Sequence, residues 1–179
     1  MSDIVCLTTN VRAICGESPV WSNAEEVVYW VDITGRKIYR TDPIAKTTDW
    51  WETPSFVGMI ALRKKGGLVA GLVDGIYGFD PSNGRFEHLV DLERDIPENR
   101  VNDSKCDAAG RLWVATMNNE NWEDPSGKLY RIEPDLSITT VQTGIRIPNG
   151  LAWSPNSTRM YHTKTSHCLL YTSPSPRDS

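Results

Sequence analysis

Arg100-Val101-Asn102-Asp103-Ser104-Lys105-Cys106-Asp107-Ala108-Ala109-Gly110-Arg111-Leu112-Trp113-Val114-Ala115-Thr116 decides the fold. Ala109-Gly110-Arg111 has the composition of a tight hairpin turn. Leu112-Trp113-Val114-Ala115-Thr116, which follows it, is short, β-branched and aromatic, as strands are. Ser104-Lys105-Cys106-Asp107 reads as its antiparallel partner. The pair recurs three times. Ser18-Pro19-Val20-Trp21 precedes Val27-Val28-Tyr29-Trp30-Val31, and Met59-Ile60-Ala61-Leu62 precedes Leu68-Val69-Ala70-Gly71-Leu72-Val73. Leu151-Ala152-Trp153-Ser154 precedes Met160-Tyr161-His162-Thr163. Aligning Tyr29, Val69, Trp113 and Tyr161 gives steps of 40, 44 and 48 residues. No segment sustains a helical period. A repeat of this length built from strands alone has the spacing of propeller blades, at about 40–50 residues each.

The rest of each repeat agrees. A third strand follows, entered through Gly35, Gly75 or Gly127 and ending at Asp42-Pro43, Asp80-Pro81 or Glu133-Pro134. A polar outer strand such as Arg85-Phe86-Glu87-His88-Leu89-Val90 comes next. The second strands are apolar on both faces, as expected of sheets covered by a neighbour on each side. The competing fold, a β-sandwich of unrelated hairpins, does not explain three near-complete repeats in one order. The charged stretch 91–99 reads as an inter-blade loop. The predicted fold class is therefore all-β: a partial β-propeller over residues 1–171, an open arc of four-stranded antiparallel sheets amounting to about three and a half blades. Residues 172–179 read as a low-complexity tail with the character of an assembly artefact.

Composition limits the partners. The 179 residues carry 19 Lys+Arg against 23 Asp+Glu, a net charge of -4. Seven Trp, six Tyr and three Phe within 39% hydrophobic residues are enough for a core, which excludes general disorder. Mixed charge of mildly acidic sign argues against nucleic acid or an anionic membrane as partner. The longest strictly apolar run, residues 27–31, has five residues and spans no bilayer. The first residues lack the pattern of a secretory signal. Cys6, Cys15, Cys106 and Cys168 include no C-x-x-C pair and read as reduced thiols. A cytoplasmic location is the expectation.

No G-x-S-x-G elbow, phosphate loop or H-E-x-x-H helix is present. His88, His162 and His167 are scattered and suggest no catalytic dyad. Polar residues at blade edges stand out instead. Glu17, Asn102 and Asn149 each lie just before an inner strand, at corresponding places in three repeats. A propeller gathers such positions around its axis. One carboxylate and two amide oxygens are hard donors suited to Ca²⁺, Mg²⁺ or Mn²⁺. The alternative is that they only cap turns and satisfy strand-end backbone groups.

Three motifs carry a resemblance. G-E-S-P-V-W at 16–21, R-V-N-D-S-K-C-D-A-A-G-R-L-W-V-A-T-M at 100–117 and I-P-N-G-L-A-W-S-P at 147–155 are similar to motifs of the senescence-marker-protein, gluconolactonase and regucalcin-like family, in the same order. The resemblance covers about residues 10–168. It implies a six-bladed ring of roughly 270 residues at ~45 per blade, one divalent cation (Ca, Mg, Mn or Zn) on the axis, and hydrolysis of a small-molecule sugar lactone. Glu17 and Asn149 match metal ligands. Asn102 matches a residue at both metal and substrate, and so is a further candidate ligand. Arg100 matches a substrate-contacting arginine, and Glu120 falls where some members place a substrate-contacting glutamate. The remaining ligand and candidate base, an aspartate in P-D-G one blade further on, has no counterpart in these residues, so no catalytic residue is assigned. The last blades and the strand partner of residues 4–8 are likewise missing. The implied mechanism is metal-assisted: the cation polarises the lactone carbonyl and acidifies water, and the aspartate takes the proton. The resemblance further implies that a chain of this extent is inactive by itself. Two other readings share the same ligands: a non-catalytic calcium-binding or regulatory propeller, and a related esterase or organophosphate hydrolase.

Overall fold

The computed structural model describes Cys6, residues 10–165 and, as backbone, Leu169–Pro174. His167, Cys168, residues 175–179 and most of residues 4–8 lie outside the described residues. Within them, fifteen strands form four antiparallel meanders. The first is β1 (Gly16–Ser22), β2 (Val27–Asp32), β3 (Lys37–Asp42) and β4 (Thr47–Glu52). The second is β5 (Met59–Leu62), β6 (Leu68–Gly71), β7 (Gly75–Asp80) and β8 (Arg85–Asp91). The third is β9 (Asn99–Cys106), β10 (Leu112–Asn118), β11 (Gly127–Ile132) and β12 (Ile138–Ile145). The fourth is β13 (Pro148–Trp153), β14 (Arg159–Lys164) and β15 (Leu169–Pro174). The first strand of each sheet packs beside the first strand of the next: β1 beside β5, β5 beside β9, β9 beside β13. Four sheets fanned about their first strands are four successive blades of a β-propeller.

The packing shows why β2, β6 and β10 lack polar faces. Leu68 and Ala70 of β6 join Val27, Tyr29 and Val31 in a core between the first two blades. Leu112 and Val114 of β10 join Met59, Ile76 and Val101 between the second and third. Trp113 and Ala115, the alternate residues of the same strand, join Leu129, Leu151 and Met160 between the third and fourth. Successive side chains of a strand point to opposite faces. The first four residues of β10 therefore alternate between the two inter-blade cores, and all seven of its residues are buried.

Two boundaries differ from the sequence reading. The inner strands start earlier than their apolar residues suggest: β1 at Gly16, β9 at Asn99 and β13 at Pro148. Glu17, Asn102 and Asn149 are inside these strands, not in the turns before them. Each pairing contains a bulge, which breaks the alternation that marks a strand in sequence while letting the ladder continue. β15 also runs to Pro174, with Thr172 opposite Tyr161 and Ser173 opposite Met160. The open edge of β14 recruits this backbone whatever its side chains, and proline is tolerated at the end of an edge strand.

Turn chemistry accounts for the Asp-Pro pairs. Asp42 Oδ1 accepts the N–H groups of Ile44 and Ala45, both at 2.8 Å, and Asp80 Oδ1 accepts that of Ser82 at 2.9 Å. The charged loop 91–99 is tied inward at Glu93, whose carboxylate accepts Tyr130 Oη–H at 2.8 Å and Asn99 Nδ2–H at 2.9 Å. Burial, then this hydrogen bond, pushes the Tyr130 hydroxyl pKa well up.

Asp107 organises the β9–β10 turn. Its Oδ2 accepts Trp113 Nε1–H at 2.9 Å and pairs with Arg111 Nε at 2.6 Å, while Oδ1 accepts the N–H groups of Ala109 and Arg111. Burial works to raise its pKa, but the hydrogen bonds from Trp113 and Arg111 outweigh it and hold the carboxyl below its ordinary value. Asp107→Ala strands the buried Trp113 indole N–H and removes the carboxylate that organises the turn, and is expected to cost about 1–3 kcal/mol in chemical denaturation. Because the folded pKa is depressed, the carboxylate's contribution is present above the unfolded value of about 3.9 and is lost as pH falls through the folded one. The wild-type minus Asp107→Ala difference should therefore shrink below about pH 4; a gap of constant size from pH 7 to pH 3 would count against this account.

Candidate functional site

The bulges set the site. In β1, Glu17 lies opposite Val31 and Val20 opposite Tyr29, so Ser18 and Pro19 together face Trp30. In β13, Asn149 lies opposite Thr163 and Ala152 opposite Tyr161. Glu17 and Asn149 thus occupy the same register position, and each is followed by a residue of positive φ, Ser18 at 50° and Gly150 at 62°. Serine is uncommon in that region; here Ser18 Oγ is held by Ile60 N–H at 3.1 Å. In β9 the extra residue is Asn102 itself, between Val101 opposite Thr116 and Asp103 opposite Ala115. In the second blade, counting from the pairing of Ala61 with Val69, the corresponding position is Gly58. That blade contributes no side chain.

Glu17, Arg100, Asn102 and Asn149 line one cleft of about 390 Å³, with Gly58, Trp122 and others. Asn102 links two blades: its Nδ2 donates to Pro148 O at 2.8 Å and to Asn149 Oδ1 at 3.3 Å, and its Oδ1 accepts Arg100 Nη1–H at 2.8 Å. Asn149 Nδ2 donates to Thr165 Oγ1 at 2.7 Å. Asp103, not among the expected site residues, ties the same blades together by accepting Gly150 N–H at 2.7 Å.

The charges are unevenly satisfied. Arg100 is 8% exposed, and its Nε and Nη1 donate only to neutral oxygens, those of Asn119, Asn102 and Val101. Among the described residues no carboxylate pairs with it. Burial lowers its pKa, although arginine remains charged at any ordinary pH. Glu17 is exposed, with its carboxylate free of hydrogen bonds to the described residues. Cys15, also in the cleft, has its thiol pKa raised by burial and then by Glu17. Asp32 anchors the approach to Glu17 by accepting the N–H groups of Ile14, Cys15 and Gly35; burial raises its pKa, but these three donors outweigh that and the net shift is downward.

The donor set suits a hard cation. A carboxylate without hydrogen-bond partners and an amide oxygen whose nitrogen is committed to Thr165 face the same cleft. Among the described residues no three His, Cys, Asp or Glu side chains cluster as a metal site, so amide oxygens would have to complete this one. Asn102 is less available, since its oxygen already faces the Arg100 cation. Glu120 is exposed, gives its N–H to Asn118 Oδ1 at 2.9 Å and does not line the cleft. Trp122, two residues on, does. His162 is buried, with its pKa lowered by burial and then by Lys164, and His88 Nε2 pairs with Asp91 at 2.8 Å. Neither lines the cleft. No helix among the described residues is long and apolar enough to cross a membrane.

Known proteins are similar to this chain in sequence and fold. A 6-deoxy-6-sulfogluconolactonase of Pseudomonas putida is 31% identical over 99% of this chain and 61% of its own length. Regucalcin of Xenopus laevis is 34% identical over 89% of this chain and 54% of its own. Among solved structures, a calcium-binding regucalcin from Agrobacterium tumefaciens superposes with a TM-score of 0.86 at 25% identity, covering 92% of this chain and 55% of that one. The chain thus spans a little over half the length of these relatives. Residues 15–176 match the model of the SMP-30/Gluconolactonase/LRE-like region, and the chain belongs to that family.

Proposed function

We infer that the protein to which these blades belong hydrolyses a sugar lactone with the help of one divalent cation. The observation that carries this reading is the pairing, in one cleft, of a buried guanidinium and an exposed carboxylate that, among the described residues, have respectively no carboxylate and no hydrogen-bond partner. The cleft offers a cation subsite at Glu17 and Asn149 and an anion-attracting one at Arg100. The relatives named as lactonases favour the same chemistry. When bound, the cation supplies Lewis acidity toward a carbonyl oxygen and toward water. Glu17 supplies the formal negative charge of the subsite. Asn102 holds Asn149 in place and turns Arg100 toward the cleft. Arg100 then donates to substrate hydroxyls and to the carboxylate that ring opening creates, a group its forked donors suit.

A non-catalytic calcium-binding role is the second reading, favoured by relatives named regucalcin. Hydrolysis of D-glucono-1,5-lactone by the full-length protein, followed by acid release before and after chelation, separates the two. The expected result is turnover that chelator abolishes and one divalent cation restores. Cation binding without turnover would establish the second reading, and turnover unaffected by chelator would remove the cation from the mechanism. The 179 residues alone are proposed to be inactive, because Glu17 is the sole formal charge in their cation subsite and one carboxylate holds a divalent ion weakly. Cation-dependent lactone hydrolysis by that chain would overturn this.

A further inference from the structure

The loop between β10 and β11 carries Trp122 to the rim of the cleft, where the indole is 60% exposed. A single exposed apolar residue ordinarily needs no explanation. This one faces a cleft whose other lining includes Glu17, Arg100, Asn102 and Asn149. Its indole N–H has no hydrogen-bond partner among the described residues, so nothing in the fold uses its polar edge. The loop is also braced on both sides. Asn118, itself buried, accepts the N–H groups of Glu120 at 2.9 Å and Asn121 at 2.8 Å. Glu123 accepts Arg146 Nη1–H at 2.9 Å, and Ser126 Oγ–H donates to Asn99 at 2.8 Å. A rigid aromatic plane beside a polar floor is complementary to a ring with a C–H face and a hydroxylated edge.

We propose that Trp122 is a specificity-determining residue that stacks on the C–H face of the sugar-lactone ring while Arg100 engages its polar edge. This rests on the lactone reading above. Placing the aromatic plane on a preordered loop removes the cost of ordering it on binding. Glu120 gives its N–H to Asn118 in the turn that presents Trp122.

The test separates binding from turnover. Full-length wild type, Trp122→Ala and Trp122→Phe are titrated by calorimetry with D-gluconolactam, in which a ring N–H replaces the ring oxygen and which resists hydrolysis. Each is also assayed on the lactone. Trp122→Ala is expected to bind the lactam about tenfold more weakly, a change of about 1.4 kcal/mol. It should raise KM for the lactone by a similar factor with kcat within about twofold, and Trp122→Phe should recover most of both losses. Unchanged lactam affinity in Trp122→Ala, or a fall in kcat at constant KM, would overturn the stacking role. Lactam binding weakened by Trp122→Ala in a protein that hydrolyses no lactone would uphold stacking and defeat the hydrolytic reading. Absence of lactam binding by a wild type that turns over the lactone would overturn the stacking role alone, and absence of both binding and turnover would overturn both.

Discussion

Gly58→Ala should collapse the inner edge of the second blade and dismantle the cleft with it. A methyl group at this position would lie 2.0 Å from the carbonyl oxygen of Val101 and 3.2 Å from Cα of Asn102. Both obstacles are backbone atoms of β9, so no rotamer change relieves the contact. β9 would have to move away from β5, opening the core around Met59 and Val101. It would also move Asn102, and with it the hydrogen bonds to Arg100 and Asn149. Overpacking of this kind belongs among the most severe substitutions, at about 4 kcal/mol or more. Gly66→Ala is the appropriate comparison. Its added carbon meets nothing within 4 Å, and its penalty comes from a φ of +91° alone, worth roughly 1–2 kcal/mol. Denaturant titration of both variants decides the matter: comparable midpoints would show that β9 yields easily and that Gly58 is not a steric necessity.

On the proposed metal-assisted reading, Glu17→Gln in the full-length protein should lower kcat/KM for lactone hydrolysis by roughly a thousandfold, about 4 kcal/mol of Lewis-acid stabilisation that would go with the cation. The amide is close in shape to the carboxylate, and Glu17 makes no hydrogen bond to the described residues, so stability should change little. Activity should return in part at high concentrations of the cation, because the subsite keeps Asn149 and loses only charge. Calorimetric cation titration beside a continuous acid-release assay reads both quantities. Wild-type turnover in Glu17→Gln, or lost turnover with undiminished cation affinity, would exclude Glu17 as a ligand.

The blade repeat was legible because inter-blade packing demands apolar residues on both faces of each second strand, and that demand is written directly into segments such as Leu112-Trp113-Val114-Ala115-Thr116. Turns were legible for a related reason: Asp42 and Asp80 cap their own chain, a purely local act. The inner-strand starts were not. A bulge breaks the alternation that a reader uses to find a strand, so Glu17, Asn102 and Asn149 looked like loop residues. Their common placement in the repeat was nevertheless visible, and the structure brings all three to one cleft with Arg100. Asp103 and Trp122 were not visible as site residues. The first acts across blades on Gly150, and the second depends on the path of a braced loop. No sequence period records either.

The unequal repeat steps of 40, 44 and 48 residues acquire a meaning once the strands are placed. The surplus residues fall between blades, in 91–99, and at the mouth of the cleft, in the loop that carries Trp122. Neither location interrupts the pairing that positions Glu17, Asn102 or Asn149. Insertions and deletions at the mouth can therefore remodel what the cleft accepts while the residues at its floor keep their mutual distances. Libraries that vary the length of segment 120–125, keeping Asn119 and its bond to Arg100, should change what the cleft accepts without first repairing the floor.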